Sequence, residues 1–236
     1  MKMFTSIYDD ASMLPHFLQH YPGLGVSQFF ILIIGGIANR LLPAIQFAIN
    51  RDVDVKTIVG PEAYTPKADL DARVDLVHKN CRPDEWRMIA DLDELVQYGV
   101  PIEALIESAI LIGADHVESK MVDRITQSGD LAQIDGRSIW SQFPSERDFN
   151  NEFIFGCARK IHMFKGDAVL TPGCHHAYTR APGINIGKSN HFRWTTKLPE
   201  RLLRRLSENA RSAAPDCQVF EILRMFDRMK IQAKMV

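Results

Sequence analysis

The chain has 236 residues, 46% of them hydrophobic, which is enough to bury a substantial core and fits one large α/β domain spanning 1–236. Lys+Arg number 28 against Asp+Glu 29, a formal net charge of -1, so the chain lacks the overall basic field of a nonspecific nucleic-acid binder. Cys81, Cys157, Cys174 and Cys217 form no CxxC pair and are too sparse for a disulfide framework, and the first ten residues lack the apolar core of a secretory leader, so a reduced, cytosolic compartment is expected.

Lys2 to Ile7 reads as a first strand, followed by a helix on which Leu14, Phe17, Leu18 and Tyr21 recur at helical spacing, with Ser12 as its N-cap. Gly23 and Gly25 end that helix. Phe29 to Ile34 is a continuous apolar run, as expected of a strand buried on both faces, and Gly35-Gly36 closes it. The apolar stretch from Phe29 to Ala38 is too short to span a bilayer, and peripheral contact at the inner membrane is the membrane role it allows. Asn39 caps a helix carrying Leu41, Leu42, Ile45 and Ile49. Val53 to Val59 makes a third strand, a polar helix with Leu70, Val74 and Val77 follows, and Trp86 to Asp91 makes a fourth. Pro101 opens a helix bearing Ile102, Leu105, Ile106, Ala109 and Ile110. Strands alternating with helices predict a mostly parallel sheet flanked by helices.

The second half differs in texture. Short strands at Val117 to Ile125 and Ala168 to Thr171, a turn-rich stretch from Ser128 to Asn151 and two C-terminal amphipathic helices suggest the acceptor side of a bipartite site. On the first of those helices Arg201, Arg204, Arg205 and Arg211 accompany Leu198, Leu202, Leu203 and Leu206, a solvated basic face over an apolar one.

Asp91-Leu92-Asp93-Glu94 stands where the fourth strand ends, and ligands of open α/β sheets bind at the carboxyl ends of strands. If the strand runs on through them, alternation puts Asp91 and Asp93 on one side, a pair of hard oxygen ligands suited to Mg²⁺ or Mn²⁺. Tyr8 to Met13 is acidic and has no Gly-rich basic loop, which argues against a nucleotidyltransferase.

Leu14-Pro15-His16-Phe17-Leu18-Gln19-His20-Tyr21-Pro22-Gly23-Leu24-Gly25-Val26, then Trp86 to Glu94, Val122-Asp123-Arg124, Gln142-Phe143-Pro144, Gly173-Cys174-His175-His176 and His191-Phe192-Arg193-Trp194 follow one another in an order that resembles the family-two-type bacterial glycosyltransferases of the GT-A (Rossmann-like) fold. The resemblance implies a metal-dependent, inverting transfer of a sugar from a nucleotide-sugar donor to a glycan or lipid-linked acceptor. It implies a nucleotide- and metal-binding half over 1–113 and an acceptor half over 114–236. The metal ligands it implies are Asp91, Asp93 and His191, with His176 as the alternative histidine. Asp91 is placed to touch the ribose or a metal-bound water, and Asp9 or Asp10 either contacts the base or caps the following helix. Asp123 is the catalytic base by this resemblance, with Glu146 and Asp148 as alternatives. The chain departs from the family after its second strand, where Ile33-Ile34-Gly35-Gly36-Ile37-Ala38-Asn39 carries no carboxylate. A catalytically silent glycan- or nucleotide-binding relative is therefore the competing expectation, beside a metal-dependent nucleotidyltransferase.

Overall fold

A computed structural model describes residues 1–8, 10–34, 53–61, 65–148, 157–166, 168–201 and 203. The helix expected after Asn39, the turn after the second strand, Asp9, and Arg204, Arg205 and Arg211 lie outside the described residues. Contacts divide the chain into two units, Met1–Met121 with Arg159–His191, and Val122–Ala158 with Phe192–Val236. The first unit thus draws on both halves of the sequence.

The first unit is built on strands β1 (Lys2–Ile7), β2 (Gln28–Ile33), β3 (Asp54–Val59) and β4 (Arg87–Ile89), which pair in parallel in the order β3-β2-β1-β4. Their apolar runs explain the position. Phe29 and Phe30 alternate across the sheet, so each packs on a different helix. Phe30 stacks on Phe4 at 4.8 Å and joins Leu70, Leu76 and Val77 of helix α2 (Pro66–Asn80). Phe29 meets Phe17 of helix α1 (Leu14–His20) edge-on at 6.1 Å, and Phe17 in turn packs on Tyr21. The result is an α/β fold with helices on both faces of a large sheet.

Beyond β4 the sheet continues through β8 (Arg159–Phe164), β6 (His116–Ile125), β11 (Gly183–His191) and β5 (Glu94–Gln97), with β4–β8, β8–β6 and β11–β5 antiparallel. Helix α3 (Ile102–Leu111) follows Pro101 as its composition predicts, burying Ile102, Leu105 and Ala109 while Ile110 stays exposed. The N-cap of α1 is Met13 rather than Ser12, because Ser12 is held by Asp10, donating its backbone N–H (2.9 Å) and its hydroxyl (3.0 Å) to that carboxylate. A two-stranded hairpin of β9 (Val169–Leu170) and β10 (Ala177–Tyr178) completes the unit.

In the second unit, the end of β6 pairs with β7 (Ser145–Arg147), Asp123 opposite Arg147. Trp140 of the short helix α4 (Ile139–Gln142) and Phe143 pack edge-on against Phe192, at 5.3 and 6.0 Å. Among the described residues no helix is long and apolar enough to cross a membrane.

Gly187, at φ 83, lets β11 lie against β5, since a Cβ there would run into the carbonyl oxygen of Gln97 and come within 2.9 Å of the Tyr98 Cα. Gly187→Ala is expected to cost at least about 1–3 kcal/mol from its left-handed backbone alone. Gly23, whose Cβ would meet nothing within 4 Å, serves as the control. Denaturant melts of both alanine variants check this, and equal midpoints would contradict it.

Candidate functional site

β4 ends at Ile89, so the acidic segment is a turn rather than a strand end. Glu94 donates its backbone N–H to the Asp91 carbonyl at 3.0 Å, while the Asp91 N–H reaches Glu94 Oε2 at 3.2 Å. The chain then leaves as β5, with Glu94 opposite His191. Period-two alternation therefore does not govern residues 91–93, and the two aspartates face different partners.

Asp91 is committed to two cations. Its Oδ1 accepts from Arg73 Nη1 at 2.9 Å and its Oδ2 from Lys160 Nζ at 2.6 Å, with 37% of the side chain still exposed. Arg73 comes from α2 and also holds Asp69, one helical turn earlier, at 2.5 Å. Lys160 comes from β8 and holds Glu94 at 2.7 Å as well. Both cations and Glu94 are almost fully buried. Burial alone would raise the Asp91 carboxyl, yet Lys160 and Arg73 outweigh it and hold the group well below the usual carboxylate range. Glu94 moves the other way, because burial pushes it up more than Lys160 pulls it down. Lys160 stays charged, since Asp91 and Glu94 outweigh its own desolvation.

Asp93 faces His191 instead, Oδ2 to Nε2 at 3.7 Å, and both are close enough to act electrostatically on Glu94. A carboxylate and an imidazole are a fitting pair of protein ligands for Mn²⁺ or Mg²⁺, which commonly take their remaining ligands from water and phosphate oxygens. Asp91, the third ligand the resemblance implies, already accepts from Arg73 and Lys160, so a metal ion there would share its carboxylate with two fixed cations. Among the described residues no group of three or more His, Cys, Asp or Glu side chains is arranged to hold a metal.

His162 and His175 have structural partners. The Ile89 carbonyl can only accept, so His162 Nδ1 carries the proton toward it (3.2 Å) and Nε2 accepts from the Ser189 hydroxyl (2.7 Å). Complete burial pushes this imidazole down to about 3 and keeps it neutral. His175 Nδ1 donates to the Arg159 carbonyl at 2.8 Å. Cys174, with φ 55, is buried beside Arg73 and Lys160, and burial pushes its thiol up to about 11. Asp10 holds Ser12 as described. Asp123 belongs to the second unit, where Arg193 grips it with Nε at 2.8 Å and Nη2 at 3.0 Å. Of the alternative bases, Glu146 pairs with Arg124 at 3.3 Å.

Sequence reading misses Asp69, Arg73 and Lys160. Their signal was present: Asp69 and Arg73 share the α2 face of Leu70 and Val77, and Lys160 follows Arg159 at the start of the otherwise largely apolar strand Arg159-Lys160-Ile161-His162-Met163-Phe164.

No protein-family model matches the chain, and no curated protein matches it in sequence. Among solved structures, a Bacillus anthracis protein named as a glucose-1-phosphate thymidylyltransferase, solved with sucrose, aligns at 11% identity over 93% of this chain and 98% of its own, with a TM-score of 0.45. HddC from Yersinia pseudotuberculosis aligns at 11% identity over 53% of this chain and 59% of its own, with a TM-score of 0.37. The chain thus spans about three fifths of HddC. At such distance neither likeness bears on activity.

Lys160→Met leaves Glu94 buried without its cation and is expected to cost about 3–5 kcal/mol at neutral pH. A carboxyl whose folded pKa lies above its unfolded value is a liability at high pH and ceases to be one as pH falls through the folded value. The melting-temperature gap between wild type and variant should therefore narrow as pH drops from neutral toward the ordinary glutamate value of 4.5. A gap independent of pH would show that Glu94 carries no charge for Lys160 to balance.

Proposed function

We propose that the protein is a nucleotide-sugar-dependent glycosyltransferase whose donor diphosphate binds at the Asp91–Glu94 turn. One observation carries this reading. Beyond the carboxyl end of β4, Arg73 and Lys160 fix Asp91 while Asp93 faces His191 at 3.7 Å, so a carboxylate and an imidazole stand side by side on the turn. Such a pair at the carboxyl end of a parallel strand suits a divalent ion and the diphosphate it accompanies. The resemblance of Trp86 to Glu94 and of His191 to Trp194 to family-two-type glycosyltransferases supports it independently.

Asp93 and His191 are the residues that would hold the ion. When bound, a divalent ion supplies charge neutralisation at the diphosphate as its bond to the sugar breaks. Lys160 and Arg73 fix Asp91, whose exposed edge is then free of rotation and suited to accept from a ribose hydroxyl. The acceptor hydroxyl forms the new bond to the anomeric carbon, the nucleoside diphosphate departs with the old bond's electrons, and the hydroxyl proton passes to a base. Asp123 is the base proposed, which requires its pair with Arg193 to open during turnover.

A second reading, a nucleotide-binding relative without transfer, is favoured by the engagement of both Asp91 oxygens. Calorimetry with uridine diphosphate separates the outcomes. Binding should need Mn²⁺, and Asp93→Ala should weaken it by roughly tenfold or more, as loss of one charged ligand implies. Equal affinity with Mn²⁺ and with chelator, in wild type and variant alike, removes the metal role. Binding without turnover of any nucleotide sugar selects the second reading, and pyrophosphate release from a nucleoside triphosphate and a sugar 1-phosphate moves the activity to nucleotidyl transfer.

Asp123→Asn tests the base. Sugar transfer should fall by roughly 10²–10⁴-fold with donor affinity retained. Transfer near the wild-type rate moves the role to Glu146 or Asp148.

A further inference from the structure

We propose that the open cleft of about 600 Å³ lined by Asp115, Ala168, Tyr178, Thr179 and Arg180 is a binding subsite for a neutral hexopyranose ring. Tyr178 is 73% exposed and lies directly opposite Val169, itself 60% exposed, across the β9–β10 pair. Cross-strand partners share one face of a hairpin, so the two form an aromatic and aliphatic platform that nothing among the described residues covers. A sugar ring presents a patch of C–H groups on its face and hydroxyls around its edge. The cleft is matched to that division, with the Tyr178 ring for the face and a carboxylate, a hydroxyl and a guanidinium for the edge.

The polar wall is preorganised. Asp115 accepts from the Thr179 hydroxyl and pairs with His116 Nδ1 at 2.7 Å, its backbone N–H and carbonyl are bonded to Pro182 and Lys165, and the His116 ring fills the space a Cβ on Gly183 would need. Groups held before the ligand arrives lose little freedom on binding it.

The hairpin also explains why such a subsite belongs here. Its strands are closed by Thr171 and His176, bonded N–H to carbonyl at 2.9 Å, and the intervening turn carries Cys174, buried beside Arg73 and Lys160, and His175, tied to Arg159. Arg159 in turn pairs through its guanidinium with Glu118, which faces His116. One short hairpin thus links the charged turn at one end to the cleft at the other. The assignment of the cleft to the acceptor sugar, as opposed to carbohydrate binding itself, rests on the glycosyl transfer proposed above.

Protein-observed NMR with methyl β-glucoside, methyl β-galactoside and methyl α-mannoside tests it. At least one glycoside should shift the amides of Asp115, Ala168, Tyr178 and Thr179, and Tyr178→Ala should weaken that binding roughly tenfold while leaving uridine diphosphate affinity and melting temperature unchanged. Arg180→Ala should weaken it as well. No shift at these residues with any of the glycosides overturns the inference, as does equal binding by Tyr178→Ala, or shifts there with uridine alone, which would make the cleft a base platform. Glycoside binding in a protein that binds no nucleotide would leave the subsite standing and sink the donor site; nucleotide binding without glycoside binding would do the reverse.

Discussion

Everything at the charged turn depends on Lys160. An ammonium on the second residue of β8, 2% exposed, cannot stay in an apolar sheet unless carboxylates come to it, and Asp91 and Glu94 both do. Meeting one nitrogen from two directions requires the chain between them to fold back, and the reciprocal bonds between Asp91 and Glu94 are that fold. Arg73 repeats the arrangement from the helix side by gripping Asp91 and Asp69. Such buried pairs add little net stability over apolar packing, but breaking one partner is costly, so they fix geometry more than they stabilise.

This arrangement divides the work of the acidic turn. Asp91 is immobilised between Arg73 and Lys160. Asp93, on the opposite side of the turn, meets His191 because β11 pairs with β5 in a register that sets His191 against Glu94. The imidazole on β11 and the carboxylate in the turn before β5 thus come from segments nearly a hundred residues apart in sequence, and Gly187 is what permits the close approach of β11 and β5.

The same economy governs the β9–β10 hairpin. Its turn supplies Cys174 and His175 to the neighbourhood of Lys160, and β10 carries Tyr178, with Thr179 just beyond it, to the cleft. The positive φ at Gly173 and Cys174 makes the turn tight enough for a four-residue connection between Thr171 and His176.

The sequence by itself determined the parallel half of the sheet. The apolar run beginning at Phe29 is a strand because its composition is incompatible with anything less buried, Lys2 to Ile7 pairs beside it, and Pro101 opens a helix because its fixed φ suits a helix start. The cluster of carboxylates from Asp91 to Glu94 was legible for the same local reason, since it follows an apolar strand. Only the tertiary structure decided what each carboxylate does. β5, β8 and β11 are antiparallel strands whose partners are remote in sequence, and period-two alternation cannot say which neighbour a side chain will find. Lys160 reads in sequence as one cation among 28. Its role arises from the pairing of β8 with β4, which buries the charge where Asp91 and Glu94 must answer it, and ion pairing in a low-dielectric interior is a property of that place rather than of the residue.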